Sequence, residues 1–211
     1  MFLDRRTDIS GLEKLFIKDG LIVPVPYADL KSFTQTQICV FCHKHAIYQL
    51  PTTELIEFLK AHTKDVTAIE IGAGNGCIGR NVGIKMTDNK MQTWDDIKLT
   101  YLIAGQPVIT YGQDVETIPA IDAIKRYKPE TVIACWVTHK WVDDAHQGNY
   151  WGVQEEEIFT NGVKKYVHVG NWQTHVRKPI LKKVRFDIVQ APWIVSRSMS
   201  YEENVIFIFE P

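Results

Sequence analysis

The stretch that decides the fold is Val66-Thr67-Ala68-Ile69-Glu70-Ile71-Gly72-Ala73-Gly74-Asn75-Gly76. Its first six residues are rich in β-branched side chains and predict a strand that stops abruptly at the first glycine. The glycines at 72, 74 and 76 permit positive φ angles and carry no Cβ, so a ligand can approach the backbone closely. The next helix can then begin with its N–H groups facing that ligand. The stretch is typical of a strand, a ligand-binding loop and a helix.

The glycine pattern has more than one interpretation. Gly74, Gly76 and Gly79 also match the G-x-G-x-x-G fingerprint of dinucleotide-binding domains. The same glycines can equally form a tight structural turn between a strand and a helix. The loop alone therefore does not distinguish a nicotinamide cofactor, another nucleoside ligand and a purely structural turn.

Outward from this loop, strand and helix patterns alternate along the chain. Strands are predicted at residues 83–87, 107–111, 131–137 and 165–169, and helices at residues 52–62, 77–82, 95–103, 119–127 and 155–160. Such alternation implies right-handed crossovers and a mainly parallel sheet with helices on both faces. The strand at 131–137 is expected at the centre of the sheet, because residues 132–137 offer no polar side chain to a solvated face.

The C-terminal region has a different pattern. Residues 186–190, 193–196 and 205–209 are strand-like, and the polar connection at 197–204 is too short for a helical crossover. These strands are therefore predicted to pair antiparallel. An otherwise parallel sheet that ends in a reversed strand is uncommon among dinucleotide-binding domains.

Composition limits the kind of protein. The chain has 211 residues, of which 45% are hydrophobic and 23% charged, which suffices for one globular domain. Its formal net charge of −1 gives no strong signal for nucleic acid or an anionic membrane as the main partner. Residues 1–6 lack a signal-peptide pattern, and no apolar run is long enough for a membrane span. We expect a cytoplasmic protein with reduced cysteines.

Two carboxylates follow the predicted second and third strands. Asp88 follows the strand at 83–87, where a carboxylate can accept hydrogen bonds from both hydroxyls of a ribose. Asp114 follows the strand at 107–111 and is expected at the same carboxyl edge of the sheet. With Glu70 they form an acidic rim, which disfavours an anionic pyrophosphate and suits a nucleoside that carries cationic groups.

These residues and the reversed last strand resemble the class I methyltransferases that use S-adenosylmethionine, over about residues 48–211. The resemblance implies a Rossmann-like three-layer α/β sandwich with a seven-stranded, mostly parallel sheet whose last strand is antiparallel. Residues 49–211 would form this domain, and residues 1–48 an N-terminal helical cover.

In that family the glycine loop holds the methionine part of the cofactor, the acid after the second strand holds the ribose, and the acid after the third strand reaches the adenine amine. The resemblance assigns these roles to Glu70, Gly72, Gly74 and Gly76, to Asp88, and to Asp114. Tyr48 lies where the family often closes over the methionine end. The implied activity is methyl transfer to a small or macromolecular acceptor that the sequence does not identify. The alternatives are a NAD-dependent oxidoreductase and a non-catalytic nucleoside-binding homologue.

His139 follows the predicted fourth strand, where this family places catalytic groups. It is the candidate base that frees the acceptor's lone pair, although a structural histidine at a strand end is an equally good interpretation. The Asp/Asn-Pro-Pro-aromatic signature for base amino groups in DNA is absent. The segment around His139 is an aromatic and polar insertion, which is interpreted as a lid over the acceptor or as an ordinary packed loop. Its residues are Trp136, Trp141, Asp143, Asp144, His146, Tyr150 and Trp151.

The segment from Cys39 to His45 contains a C-x-x-C-H pattern. This pattern also occurs at c-type haem attachment sites, and its side chains include zinc-ligand types. No second Cys/His pair completes a four-ligand site, and the helical spacing favours Cys42 as a core residue. We therefore expect no metal in this segment.

Overall fold

A mixed sheet forms the centre of this computed structural model, which describes residues 6–141 and 148–211. In chain order the strands are β1 (Ile17–Lys18), β2 (Leu21–Ile22), β3 (Ala68–Ile71), β4 (Lys85–Asp88), β5 (Glu116–Thr117), β6 (Thr131–Cys135), β7 (Lys165–Asn171), β8 (Phe186–Val189) and β9 (Asn204–Phe209). The helices are α1 (Ser10–Phe16), α2 (Tyr27–Leu30), α3 (Gln35–Lys44), α4 (Thr53–Thr63), α5 (Cys77–Val82), α6 (Asp95–Ile103), α7 (Ala120–Tyr127) and α8 (Trp172–His175).

The main sheet has seven strands in the order β5-β4-β3-β6-β7-β9-β8. Strands β3 to β7 pair in parallel, whereas β9 is antiparallel to both β7 and β8. The predicted Rossmann-like α/β class, with an antiparallel last strand, is confirmed. β6 lies between β3 and β7 with its first four residues buried, which confirms the central strand.

Two hydrophobic layers cover the two faces of the sheet. Successive side chains of a strand point to opposite faces, so Ile133 of β6 joins one layer while Val132 and Ala134 join the other. The first layer also contains apolar residues of α1, α3, α4 and α5, and the second contains Ala123 and Ile124 of α7. Helices of the N-terminal cover, residues 1–48, thus share a core with the sheet. Within that cover β1 and β2 form a separate two-stranded antiparallel sheet.

Local sequence explains where several helices begin. Thr52 caps α4, because its Oγ1 accepts the N–H of Leu55 at 3.2 Å. Thr34 and Gln37 form a reciprocal capping box at the start of α3. Cys42 of α3 is fully buried, which confirms its prediction as a core residue.

Three predicted elements are wrong. Residues 107–111 form no strand, because the N–H of Ile109 bonds the side-chain Oε1 of Gln92 at 3.0 Å; β5 instead lies five residues further along. Residues 155–160 form two 3-10 turns rather than one α-helix. Residues 193–196 are not a ladder strand, although Ser196 makes an isolated bridge to Gln49. β-propensity depends on the partners that tertiary structure supplies.

Parts of two predictions lie outside the described residues. These are residues 1–5 of the N-terminus, and Asp143, Asp144 and His146 of the aromatic and polar insertion. Across the described ranges, none of the helices is long and apolar enough to cross a membrane.

Candidate functional site

The glycine loop joins β3 to α5 at the carboxyl edge of the sheet. Gly72, Gly74 and Gly76 have φ angles of 61°, 57° and 77°, a conformation that side chains disfavour. A Cβ on Gly72 would lie 2.5 Å from Cγ1 of Val137, and one on Gly76 would lie 2.9 Å from Sδ of Met86. The loop therefore needs glycine both for its backbone conformation and for close packing, as the sequence predicts.

Glu70 lies beneath this loop. Its side chain is 1% exposed, and Oε2 accepts the N–H of Gly79 in α5 at 2.8 Å. Burial raises the pKa of Glu70 to about 8. A Cβ on Gly79 would lie 2.6 Å from Oε2 of Glu70, so this glycine lets α5 approach β3. Glu70 thus fixes the loop from below. Gly79 was missed as a site-building residue, although it is the third glycine of the fingerprint.

Asp88 stands at the carboxyl end of β4, as predicted. Its Oδ2 accepts the N–H of Gly74 at 2.9 Å, and Oδ1 accepts the N–H of Lys90 at 2.7 Å. Burial raises the pKa of this carboxyl, opposed by these two backbone hydrogen bonds. Each carboxylate oxygen can accept more than one hydrogen bond. Asp88 can therefore hold the loop and still accept hydrogen bonds from a ligand.

Asp114 is placed differently from the prediction. It precedes β5 instead of ending a strand, and it forms a bidentate pair with Arg80: Nη2 to Oδ1 at 2.6 Å and Nε to Oδ2 at 2.7 Å. The hydrogen bonds and charge of Arg80 lower the pKa of Asp114. Arg80 also donates to the carbonyl of Asn75 at 3.0 Å. Asp114 thus supports the glycine loop from the side, through Arg80.

Tyr48 forms part of an aromatic rim beside the loop. Its ring centroid lies 6.1 Å from that of Trp136, and the Arg197 guanidinium lies 3.6 Å from the Tyr48 centroid. Burial, followed by the neighbouring Tyr48 hydroxyl, raises the pKa of Tyr101 to about 12. The place of Tyr48 at the methionine end stays a prediction, and sequence reasoning missed Tyr101 and Arg197.

Trp136 follows β6 with a φ angle of 56°, in the left-handed region. For a bulky residue this conformation costs on the order of 1–3 kcal/mol and persists only where surrounding contacts impose it. Its N–H bonds the carbonyl of Val169 at 2.9 Å, and Nε1 donates to Oε1 of Gln49 at 3.2 Å. The ring also packs edge-on against His175, with centroids 5.3 Å apart. These contacts hold the indole at the carboxyl edge.

His139 follows Trp136 by three residues and is 5% exposed. His139 makes an isolated parallel bridge to Val153. The structure thereby places His139 after the fourth strand of the parallel region, as predicted. Two further buried histidines, His168 and His175, lie nearby with ring centroids 4.6 Å apart. Burial first, and then the charge of Lys178, lowers the pKa of His175 to about 3.

A buried ion pair underlies this end of the sheet. Lys178 Nζ lies 2.7 Å from Oε1 of Glu155, and both side chains are 1% exposed. The same ammonium donates to the carbonyl of Val137 at 2.9 Å, and the Tyr166 hydroxyl donates to Glu155 Oε1 at 2.6 Å. Glu155 begins the segment predicted as a helix at 155–160, where a carboxylate would suit the first turn. It instead anchors the chain directly after β6.

Exposed aromatic rings continue from this edge. Trp151 packs edge-on against both Trp94 and Tyr150, with centroids 4.7 Å apart in each pair. Tyr150 is 64% exposed. The aromatic side chains predicted to form a lid are thus clustered in part, on the solvent side of the edge.

Two cavities lie elsewhere. One of about 640 Å³ separates the N-terminal cover from residues 190–204, and one of about 520 Å³ lies between α4 and β4 at the opposite edge. Neither is lined by the glycine loop. The loop is the better candidate because the buried acids Glu70 and Asp88 and three positive-φ glycines meet there.

Comparison with known proteins finds similar solved structures at low identity. The chain is similar to a precorrin-6y C5,15-methyltransferase from Geobacter metallireducens, with 13% identity over 77% of this chain and 89% of that one, and a TM-score of 0.38. It is similar to a candidate RNA methyltransferase from Pyrococcus horikoshii, with 11% identity, coverages of 83% and 96%, and a TM-score of 0.39. A candidate S-adenosylmethionine-dependent methyltransferase from Streptococcus mutans gives 7% identity, coverages of 75% and 48%, and a TM-score of 0.39.

No family model and no curated protein matches the sequence. At identities this low, the likeness to solved structures is one of fold alone. The function has to be derived from the residues themselves.

Proposed function

We propose that this protein transfers a methyl group from S-adenosylmethionine to an acceptor nucleophile. The observation that carries the proposal is the meeting of Asp88 and Gly74 at 2.9 Å, which sets a carboxylate beside a positive-φ glycine loop. A nucleoside ligand needs both: acceptors for its ribose hydroxyls and a backbone that it can approach closely. When bound, the cofactor would supply a methyl group on a sulfonium: the acceptor's lone pair would bond to the methyl carbon while the carbon–sulfur bond breaks, leaving S-adenosylhomocysteine.

The residues present fit the ribose and the sulfonium-bearing chain of this cofactor. Asp88 retains accepting capacity for the ribose, and Gly72, Gly74 and Gly76 leave room for the chain that bears the sulfonium. Tyr48 and Trp136 pack against each other after the neighbouring strand β6 and would exclude water from the methyl group. The adenine contact expected from Asp114 is not part of this proposal, because Asp114 precedes β5 instead of ending a strand and its charge is paired with Arg80.

On the acceptor side, the chain can orient the nucleophile and accept its proton. His139 is the proposed base, since it follows β6 and lies on the Trp136 side of the loop. The ion pair of Lys178 and Glu155 holds the carbonyl of Val137, two residues before His139. The orientation of acceptor and methyl group contributes to rate in addition to any base.

Calorimetry with S-adenosylhomocysteine and NAD tests the proposal. Binding of S-adenosylhomocysteine without binding of NAD is expected. Tighter binding of NAD would overturn it and favour an oxidoreductase.

A nucleoside-binding module without catalysis is the second alternative. It predicts cofactor binding but no transfer of label from S-adenosyl-[methyl-³H]methionine to any acceptor. A screen of cell extract fractionated into small molecules, nucleic acids and proteins tests transfer in all three acceptor classes. Label in one class supports the enzyme and identifies its kind of acceptor.

A further inference from the structure

Arg197 lies in the connection between β8 and β9, on the aromatic rim of the site. Its N–H donates to the carbonyl of Tyr48 at 3.0 Å, and its carbonyl accepts from Sγ of Cys39 at 3.1 Å. The backbone of Arg197 is therefore held on both sides. Its guanidinium lies 3.6 Å from the centre of the Tyr48 ring, a stacked cation–π contact. Backbone and ring together limit where this cation can point.

Two other arginines show what this one lacks. Arg126 also stacks on a tyrosine, Tyr127, at 5.2 Å, but its guanidinium has a carboxylate partner in Glu116 at 2.9 Å. Arg80 is half-buried and is paired with Asp114. Within residues 6–141 and 148–211, the guanidinium of Arg197 has neither a carboxylate partner nor a hydrogen-bond acceptor. A half-buried guanidinium normally binds a carboxylate or phosphate through its fork of N–H donors.

We propose that Arg197 is an anion-recognition residue that binds a carboxylate or phosphate of a ligand seated on the glycine loop. One face of the Arg197 guanidinium packs on the Tyr48 ring, and its N–H edge is left to bind the anion. No local pattern in the sequence predicts this role, because Arg197 and Tyr48 are far apart in the chain and are joined by the hydrogen bond from the Arg197 N–H to the Tyr48 carbonyl.

The sheet geometry sets the reach of such a ligand. Asp88 ends β4, Gly72 follows β3, and Trp136, which neighbours Tyr48, follows β6. Adjacent strands lie about 4.8 Å apart, so the ends of β4 and β6 are roughly 10 Å apart. If Asp88 holds the ribose of a ligand, a group of the same ligand that lies about 10 Å from the ribose can therefore reach Tyr48 and Arg197.

Two sources of the anion satisfy this geometry. One is the carboxylate at the amino-acid end of the proposed cofactor, and the other is an anionic group on the acceptor. The first rests on the proposed function. The second requires only that the acceptor lie beside Tyr48, within reach of Arg197.

The experiment compares the parent protein with Arg197→Met, which keeps the aliphatic stem over Tyr48 but removes the charge. Arg197→Lys keeps the charge without the fork, and Arg126→Met is the matched control at the arginine that stacks on Tyr127. Calorimetry measures S-adenosylhomocysteine and 5′-methylthioadenosine, which lacks the carboxylate. Fluorine NMR measures 4-fluorobenzoate and 4-fluorobenzamide, with and without S-adenosylhomocysteine. Circular dichroism verifies that each variant is folded.

If the anion belongs to the cofactor, Arg197→Met weakens the binding of S-adenosylhomocysteine by about 10- to 100-fold, as expected when a charged hydrogen bond is lost. The affinity for 5′-methylthioadenosine stays unchanged. If it is the acceptor's, the variant loses the preference for 4-fluorobenzoate over 4-fluorobenzamide instead. Arg197→Lys should fall between parent and Arg197→Met in either case. Folded Arg197→Met with all four affinities unchanged overturns the inference. Failure of the parent to bind S-adenosylhomocysteine overturns the proposed function alone, since the fluorobenzoate comparison still tests Arg197.

Discussion

The side-chain carboxylate of Asp88 and the backbone N–H of Gly74 form a 2.9 Å hydrogen bond that joins the end of β4 to the glycine loop. The acid proposed to hold the ribose therefore also holds the loop on which the rest of the ligand lies. Binding and loop conformation are coupled through one side chain. Substitutions at Asp88 have to be designed so that the two effects separate.

Asp88→Asn should weaken the binding of S-adenosylhomocysteine by about 10- to 100-fold. The amide is uncharged and has one accepting oxygen, whereas the carboxylate is charged and has two. Asp88→Ala should also lower the free energy of unfolding by about 1–3 kcal/mol, since the N–H groups of Gly74 and Lys90 lose their partner, and Asp88→Asn by less, since its one oxygen still accepts from one of them. Calorimetry and urea denaturation measure the two effects.

Asp114→Asn is the matched control. Its carboxylate pairs with Arg80 and lies before β5, so affinity for S-adenosylhomocysteine should change by no more than about twofold. Equal losses in Asp88→Asn and Asp114→Asn would restore the adenine role for Asp114. An unchanged affinity in Asp88→Asn would place the ribose elsewhere.

Glu70→Gln should change how stability depends on pH. The pKa of Glu70 is raised from 4.5 to about 8, so the folded chain retains a proton that the unfolded chain releases. The stabilisation is complete below pH 4.5 and is lost as pH rises through about 8. Between about pH 5 and pH 8 the free energy of unfolding of the parent should fall by up to roughly 1 kcal/mol per pH unit relative to that of Glu70→Gln.

Urea denaturation at several pH values measures this difference, and the contributions of other buried groups cancel between the two proteins. The glutamine retains an oxygen that can accept the Gly79 N–H. Parallel pH profiles for parent and variant would show that Glu70 is ionised in the folded protein.

Lys178→Met should destabilise the fold by about 3–5 kcal/mol, because it leaves Glu155 buried without a counter-charge. The double variant Lys178→Met/Glu155→Gln should recover much of this loss, since it removes the charge as well. Lys183→Met is the control: its pair with Glu156, at 3.3 Å, is exposed and should contribute less than about 1 kcal/mol. Equal effects of Lys178→Met and Lys183→Met in urea denaturation would contradict the buried pair.

His139→Ala should leave affinity for S-adenosylhomocysteine nearly intact and slow turnover by about 10²- to 10⁴-fold if the histidine is the base. His62→Ala, on α4, is the control with no expected effect on rate. The assay uses the acceptor found by the radiolabel screen, from about pH 5.5 to pH 8. A variant that turns over at the parent rate across this window would remove His139 from the mechanism.

Short-range patterns were sufficient for much of the fold. The strand before Gly72, the loop glycines and α5 were predictable because β-propensity and positive-φ turns act within a few residues. The central position of β6 followed from its uninterrupted apolar run. Asp88 was predictable for the same reason, since it directly ends a strand.

Contacts between distant segments were decided only by the tertiary structure. Asp114 meets Arg80, Glu155 meets Lys178, and Arg197 meets Tyr48. No local pattern predicts these pairs, because they depend on the order in which the strands assemble and on which loops then meet at an edge. The left-handed backbone of Trp136 has the same origin: its hydrogen bonds to Val169 and Gln49 come from other elements, and they hold a conformation that the residue itself disfavours.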